Sequence, residues 1–425
     1  MSRRENLVNS IEEEWKVLPD LESSASIYRV PKELRQGNER HFTPTTISIG
    51  PLHANDESLL SANKLKLRCL KSFVDHLPQP TTLKDLIQIM RQQEKTVRMC
   101  YDDEDGILRN FDSDRFGRMM VLDGCFILGL LLKYTDQIFG RAKEALLNDI
   151  LRDLLLLENQ LPFFVLVVSL SKLVQEPHER DDHFLVLKAL GLFRQVLPME
   201  DELLVPPEAP AEIKHLLHLV LLALCPDSSP ETVLKMPMPP QSELPLQGIS
   251  TKTASELEVH GIDFTLSEGA KSLADVKFKN GELKISCLVF QESTTPLFWK
   301  LIAWEQCLGQ GHDLFTSYVM FMDDLIDDEK DVDMLIEKGV IDPWVNDKKA
   351  LVSLFNDIAV GVEAQFEHPK FQRLSRQLNT YCNSVLRPVR AYLRLRISLL
   401  ASIAQVLQSA FDTSPRQRAR PLARS

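Results

Sequence analysis

Asp153-Leu-Leu-Leu-Leu-Glu-Asn-Gln-Leu-Pro-Phe-Phe164 sets Glu158, Asn159 and Gln160 inside a run that is otherwise mostly apolar. A second stretch, Met119-Met-Val-Leu-Asp-Gly-Cys-Phe-Ile-Leu128, does the same with Asp123. A carboxylate in a buried apolar run is costly unless it is hydrogen-bonded or protonated. Asp123, Glu158, Asn159 and Gln160 are therefore read as structural buried polar groups that bond helix ends or loops. The competing reading pairs Asp123 with Glu158 for acid–base work. That chemistry needs a polar cleft, and the flanking residues are Leu, Val, Phe and Ile.

Working outward, helical periodicity dominates. Leu67, Leu70, Phe73/Val74 and Leu77 recur at three-to-four spacing, as do Leu83, Leu86/Ile87, Met90, Val97 and Tyr101. Thr82 and Asp85 form a capping box for the second of these helices. Residues 116–134 are apolar nearly all round and predict a central helix, too interrupted by Asp123, Gly129 and Lys133 to span a membrane. The apolar pattern predicts a buried helix over 146–161 and another over 162–173, with Pro162 in the first turn of the latter. Further helices are expected over 184–197, 212–224, 313–326 and 348–366, and one starting at the cap pair Thr295-Pro296. Asp275 to Ser286 alternates apolar and polar residues around Asn280-Gly281, the strongest short-range hairpin signal. The fold class is mainly α: a large helical body with a small β-hairpin insertion around Val276–Ile285. Its expected organisation is a polar arm over 1–26, helical halves over 27–225 and 248–383, and a Pro-rich linker or loop over 226–247. A basic and apolar helix over 384–411 and a basic tail over 412–425 follow.

A chain of 425 residues can bury a large core unaided. Its formal charge of -11 argues against nucleic acid as a partner. From Arg387 to Ser425, however, there are eight arginines, no lysine and a single acid, Asp412. The seven cysteines are odd in number, spread out and without a C-x-x-C, so neither a disulfide framework nor a zinc module is expected. No apolar h-region follows the charged start Met1-Ser-Arg-Arg-Glu-Asn, so no signal peptide is read there.

Three other patterns resemble chemical sites. Asp323-Asp-Leu-Ile-Asp327 matches the D-D-x-x-D diphosphate–magnesium motif of helical terpene synthases, in which carboxylates one turn apart on a helix bridge Mg²⁺ to a phosphate. Asn356 to Glu363 echoes their second metal motif but lacks its Ser/Thr and follows too closely. The further acids Asp328, Glu329, Asp331 and Asp333 favour a solvated turn between helices. Glu212, His215 and His218 fall at i, i+3 and i+6, where a polar helix face is the plainer reading than a metal pair. His41 and His53 have no Ser or Cys partner in a nucleophile motif, and no phosphate loop occurs.

The two opening stretches, with several others, resemble the plant-specific family catalogued as domain of unknown function 247. The blocks that carry the resemblance are Ile27-Tyr-Arg-Val-Pro31, Ile47-Ser-Ile-Gly-Pro-Leu-His53, Met119 to Phe126 and Asp153 to Phe164. Later come Ala254 to Leu257, Leu301 to Cys307, Tyr318 to Asp323 and Leu354 to Asp357, all in family order. The resemblance implies a mainly helical plant protein without an established enzymatic activity. It also implies a terminal membrane helix, and a recognition or signalling role like that of grass members linked to self-incompatibility. The chain departs from the family where Ala54-Asn55 follow His53, and in its tail. There Ile397 to Phe411 runs for fifteen residues and is interrupted by Gln405 and Gln408, short of the ~20 that cross a bilayer.

The reading is accordingly a non-enzymatic recognition or signalling protein, membrane-associated at the cytoplasmic face or plasma membrane, with a soluble cytoplasmic protein as the alternative location. Catalytic, cofactor and metal residues are not assigned, and no cofactor is expected. The partners are an unidentified protein and an anionic membrane surface. Arg387, Arg390, Arg394, Arg396, Ile397, Leu400 and Leu407 are the expected membrane or partner contacts. The alternative function is a helical metal-dependent enzyme using Asp323, Asp324 and Asp327.

Overall fold

The apolar run at residues 113–131 becomes helix α3 (Ser113–Leu131), capped by Asp112, whose carboxylate accepts the Arg115 N–H at 2.7 Å. Around it pack α1 (Ala62–Asp75) and α2 (Leu83–Met99). A computed structural model describes residues 25–78, 80–134, 138–139, 143–170, 182–199, 212–226, 250–309, 312–345, 347–362 and 368–384. In α2 the expected capping box is present, Asp85 accepting from both the Thr82 N–H (2.7 Å) and its hydroxyl (2.8 Å). On α2 the expected face is the buried one, with Leu86, Met90, Val97 and, just beyond the helix, Tyr101 enclosed, and Leu83 and Ile87 exposed. On α1 the buried face is shifted from the expected one: Lys66, Cys69 and Phe73 are buried while Leu67 is 46% exposed. Lys66 turns inward because an ion pair awaits it there.

Helix α4 (Lys143–Leu154) ends seven residues before the expected Leu161. The carbonyls that would continue it bond to side chains instead: Gln160 donates to those of Leu154 (2.6 Å) and Leu156 (2.8 Å), and Asn159 to that of Asp153 (2.9 Å). After Pro162, residues 165–170 wind as a π-helix. Then come α5 (Asp182–Phe193) and α6 (Leu216–Leu224), the latter starting four residues later than expected because His215 is its cap.

Helix α7 (Ala254–Val259) precedes strands β1 (Asp263–Leu266), β2 (Lys277–Lys279) and β3 (Glu282–Ile285). The expected hairpin is β2–β3, antiparallel, with Phe278 opposite Leu283. Asn280 (φ 56°) and Gly281 (φ 90°) turn it through the left-handed region, the geometry that Asn-Gly supplies. Strand β1 adds to β3 in parallel, and β4 (Leu288–Phe290) pairs in parallel with β5 (Ile341–Pro343), a pairing that the hairpin pattern does not announce. Helices α8 (Thr294–Leu308), α9 (Leu314–Leu325), α10 (Glu329–Glu337), α11 (Lys348–Gly361) and α12 (Pro369–Asn383) complete the mainly α fold.

The described residues group into two units. One takes those within 25–197, 212–226 and 292–312, and the other those within 198–199, 250–291 and 313–384. Helix α8 thus belongs with the first unit. It is tied there by the Lys300 ammonium, which donates to the Arg152 carbonyl at 2.8 Å. Among the described residues no helix is long and apolar enough to cross a membrane. The basic and apolar segment from Arg387 to Phe411, and the Pro-rich stretch over 227–249, lie outside the described residues.

Candidate functional site

In the first unit the segment Thr45–Gly50 lies in no helix or strand. Side chains hold it. Asp153, at the end of α4, accepts three successive N–H groups through one oxygen: Thr45 (3.0 Å), Thr46 (2.6 Å) and Ile47 (3.0 Å). Asn159 accepts from the Ile49 N–H at 2.6 Å and donates to the Ile47 carbonyl at 3.0 Å. Asp123, mid-way along α3, accepts from the Gly50 N–H at 2.9 Å, and its other oxygen lies 2.5 Å from the Lys66 ammonium. Lys66 also donates to the Ser48 carbonyl. Burial raises the Asp123 carboxyl above its ordinary value even though Lys66 and the Gly50 N–H pull it down.

Gly50 closes this latch. Its φ of +71° suits glycine, and an added Cβ would sit 2.7 Å from the Gln160 carbonyl oxygen. That carbonyl accepts the Tyr101 hydroxyl at 3.0 Å, while the Gln160 side chain accepts the Leu217 N–H of α6 at 3.4 Å.

Glu158 anchors the entering chain. It accepts the Val30 N–H at 2.9 Å and meets Arg29 (3.0 Å), Arg35 (2.5 Å) and His53 (3.0 Å). Burial by itself would raise its carboxyl. The His53 imidazole, Arg35, the Val30 N–H and Arg29 together outweigh burial and hold it at about 2. Glu158 is thus an anion with three donors, a strong clamp on Arg29, Val30 and Arg35, with the His53 imidazole beside it.

The acids of the second unit are not arrayed along one helix; Asp327, Asp328, Glu329 and Asp333 are exposed at and just after the turn between α9 and α10, as expected. Helix α9 ends at Leu325 and Ile326 is extended, so Asp327 is not one helical turn above Asp323. Asp324 accepts from the Ser250 hydroxyl (2.7 Å) and the Thr251 N–H (2.9 Å). Asp331, expected at a solvated turn, is buried, because it accepts the N–H groups of Ser255 (2.8 Å) and Asp327 (3.2 Å) and closes a capping box with Asp328. Asp323 is half-buried, and burial beside Asp324 and Asp327 raises it to about 6. The expected Glu212/His215/His218 helix face is also absent. Glu212 precedes the helix, His215 caps it by accepting the His218 N–H at 3.1 Å, and both imidazoles pack on Trp304 (ring centroids 5.0 and 4.4 Å). Among the described residues no group of three or more His, Cys, Asp or Glu side chains converges as a metal site.

Residues 27–411 match the family described as a plant protein of unknown function, domain of unknown function 247. The chain belongs to that family. It is similar to the UPF0481 protein At3g47200 of Arabidopsis thaliana, with 27% identity over 385 residues covering 84% of this chain and 77% of the relative. It is also similar to a second UPF0481 protein of that plant, At3g02645, at 22% identity over 81% of this chain and 80% of the relative. No solved structure matches it. The four N-terminal blocks that carried the resemblance are the ones that meet in the latch: Arg29 and Val30, Ile47 to His53, Asp123, and Asp153 to Gln160.

Asp123, Glu158, Asn159 and Gln160 are all buried within this latch. The sequence did not single out Asp153, Lys66, Arg29 and Arg35, which complete it. It also passed over Lys300, fully enclosed in α8, whose ammonium burial pulls down to about 7, with Arg152 adding to the effect and Asp153 opposing it. Phe298-Trp-Lys-Leu-Ile-Ala-Trp304 is a charge inside an apolar run, the same signal that picked out Asp123.

Proposed function

We propose that this family member is a non-enzymatic recognition or signalling protein, membrane-associated at the cytoplasmic face, that presents a helical surface to a protein partner. The observation that supports a scaffold is the latch itself. Both oxygens of Asp123 and of Glu158 are engaged by the chain's own N–H groups and cations. Such acids hold backbone in place and offer nothing to a substrate. Membrane association rests on Arg387, Arg390, Arg394 and Arg396 ahead of the apolar residues Ile397, Leu400 and Leu407, a pattern suited to an anionic lipid surface.

Proximity labelling by the tagged full chain in plant tissue tests this function. A reproducible set of neighbouring proteins is expected, with membrane proteins lost from it when the four arginines are changed to Gln. Magnesium-dependent turnover of a prenyl diphosphate, abolished by Asp323→Asn, would instead establish the helical metal-dependent enzyme.

A further inference from the structure

Beside the hairpin of the second unit lies an open cavity of about 580 Å³. One wall is the polar face of α12, where Arg373, Arg376, Gln377 and Thr380 follow at the spacing that aligns side chains along a helix. The hairpin supplies the opposite wall, with Phe278 and Lys279. Among the described residues three cations and no acid line the cavity, in a chain whose net charge is -11. Helix α12 itself carries three basic residues and no acidic one. Arg376 Nη2 is buried and has no hydrogen-bond partner among the described residues. A buried guanidinium N–H left that way is costly until an acceptor reaches it.

The cavity is also preformed. Gly281 lets the hairpin turn lie directly on Tyr381, whose hydroxyl an added Cβ would strike. Phe278 meets Tyr381 edge-on, with ring centroids 5.2 Å apart. A site held open in this way loses little ordering free energy when a ligand enters.

We propose that this cavity binds a phosphate monoester, its phosphate on Arg376, Arg373 and Lys279 and its organic part against Phe278 and Tyr381. A guanidinium fork matches the geometry of phosphate oxygens, and several cations suit its double charge. The aromatic walls accept a ring or an alkyl group, as in small-molecule pockets generally. The proposal goes beyond the recognition reading and does not require membrane attachment. A soluble ester and a phosphoinositide headgroup share this chemistry, and the test separates them.

Purified full chain is titrated calorimetrically with phenyl phosphate, and separately sedimented with phosphatidylcholine vesicles with and without phosphatidylinositol phosphate. Saturable binding is expected in at least one arm. Phenyl phosphate alone identifies a soluble ester, and phosphoinositide-dependent sedimentation identifies a headgroup. Arg376→Gln should weaken that binding at least about tenfold, as expected for loss of a charge-assisted bond. Lys279→Gln, on the exposed hairpin, should weaken it too and decides the matter if the first variant fails to fold. Absence of binding in both arms overturns the proposal. So does binding that neither variant weakens.

Discussion

At the residue scale, the molecule depends on single polar side chains placed where water is excluded. Asp123→Ala strands the Lys66 ammonium and the Gly50 N–H, and breaking a buried pair from one side costs about 3–5 kcal/mol. The variant should melt well below the wild type. Asp123→Leu combined with Lys66→Met should recover most of the loss, since no lone buried charge remains. A double variant as unstable as the single one would show that the pair does more than satisfy itself. Glu158 makes stability depend on pH. Its folded value of about 2 lies below its ordinary 4.5, so its contribution is complete above pH 4.5 and is lost as pH falls toward 2. The shift corresponds to on the order of 3 kcal/mol. Urea midpoints across that range should fall more steeply for the wild type than for Glu158→Gln, and equal slopes would contradict the clamp. Lys300 acts at the other end. Its folded value of about 7 lies below 10.5, so stability rises from pH 7 to 10.5 and falls as pH drops toward 7. Lys300→Met should flatten that rise. Asp123 and Glu158 were legible because a charge stands out in an apolar run. Lys66 was not, because on an amphipathic helix it looks like its neighbours Lys64 and Lys71.

At the element scale, local chemistry announced itself and long-range chemistry did not. The Asn280-Gly281 hairpin, the Thr82/Asp85 box and the central helix α3 depend on residues a few positions apart, and all three are found. The apolar run over 155–161 reads as helix, yet Asn159 and Gln160 take the carbonyls that helix would need. That outcome depends on a partner segment about a hundred residues earlier, which no local pattern encodes. The same holds for β1, whose parallel pairing with β3 has no turn signature. Gly50 is the hinge of this arrangement. Gly50→Ala forces an L side chain to φ +71° against the Gln160 carbonyl, at a cost of about 1–3 kcal/mol or more. Thermal melts should place it well below Gly37→Ala, whose φ is also positive but whose Cβ meets nothing within 4 Å. Equal losses at the two sites would mean that the carbonyl contact is unimportant.

At the scale of the whole molecule, membrane attachment and folding are separate questions. Carbonate extraction of the tagged chain from plant membranes should release it, because the apolar run over 397–411 is shorter than a span needs. Retention in the pellet would point to integral insertion. The latch bears on something else, the order in which the chain reaches its native state. The Thr46, Ile49 and Ile47 backbone groups bond to side chains 107, 110 and 112 positions later. During synthesis, therefore, Thr45–Gly50 leaves the ribosome long before Asp153 or Asn159 exists. Closing so long a loop is slow, and contacts of high sequence separation form late. Until then the segment's unpaired N–H groups are an open template for any extended chain nearby. Nascent chains truncated between residues 51 and 152 should accordingly engage chaperones, and release should come only after Gln160 has emerged.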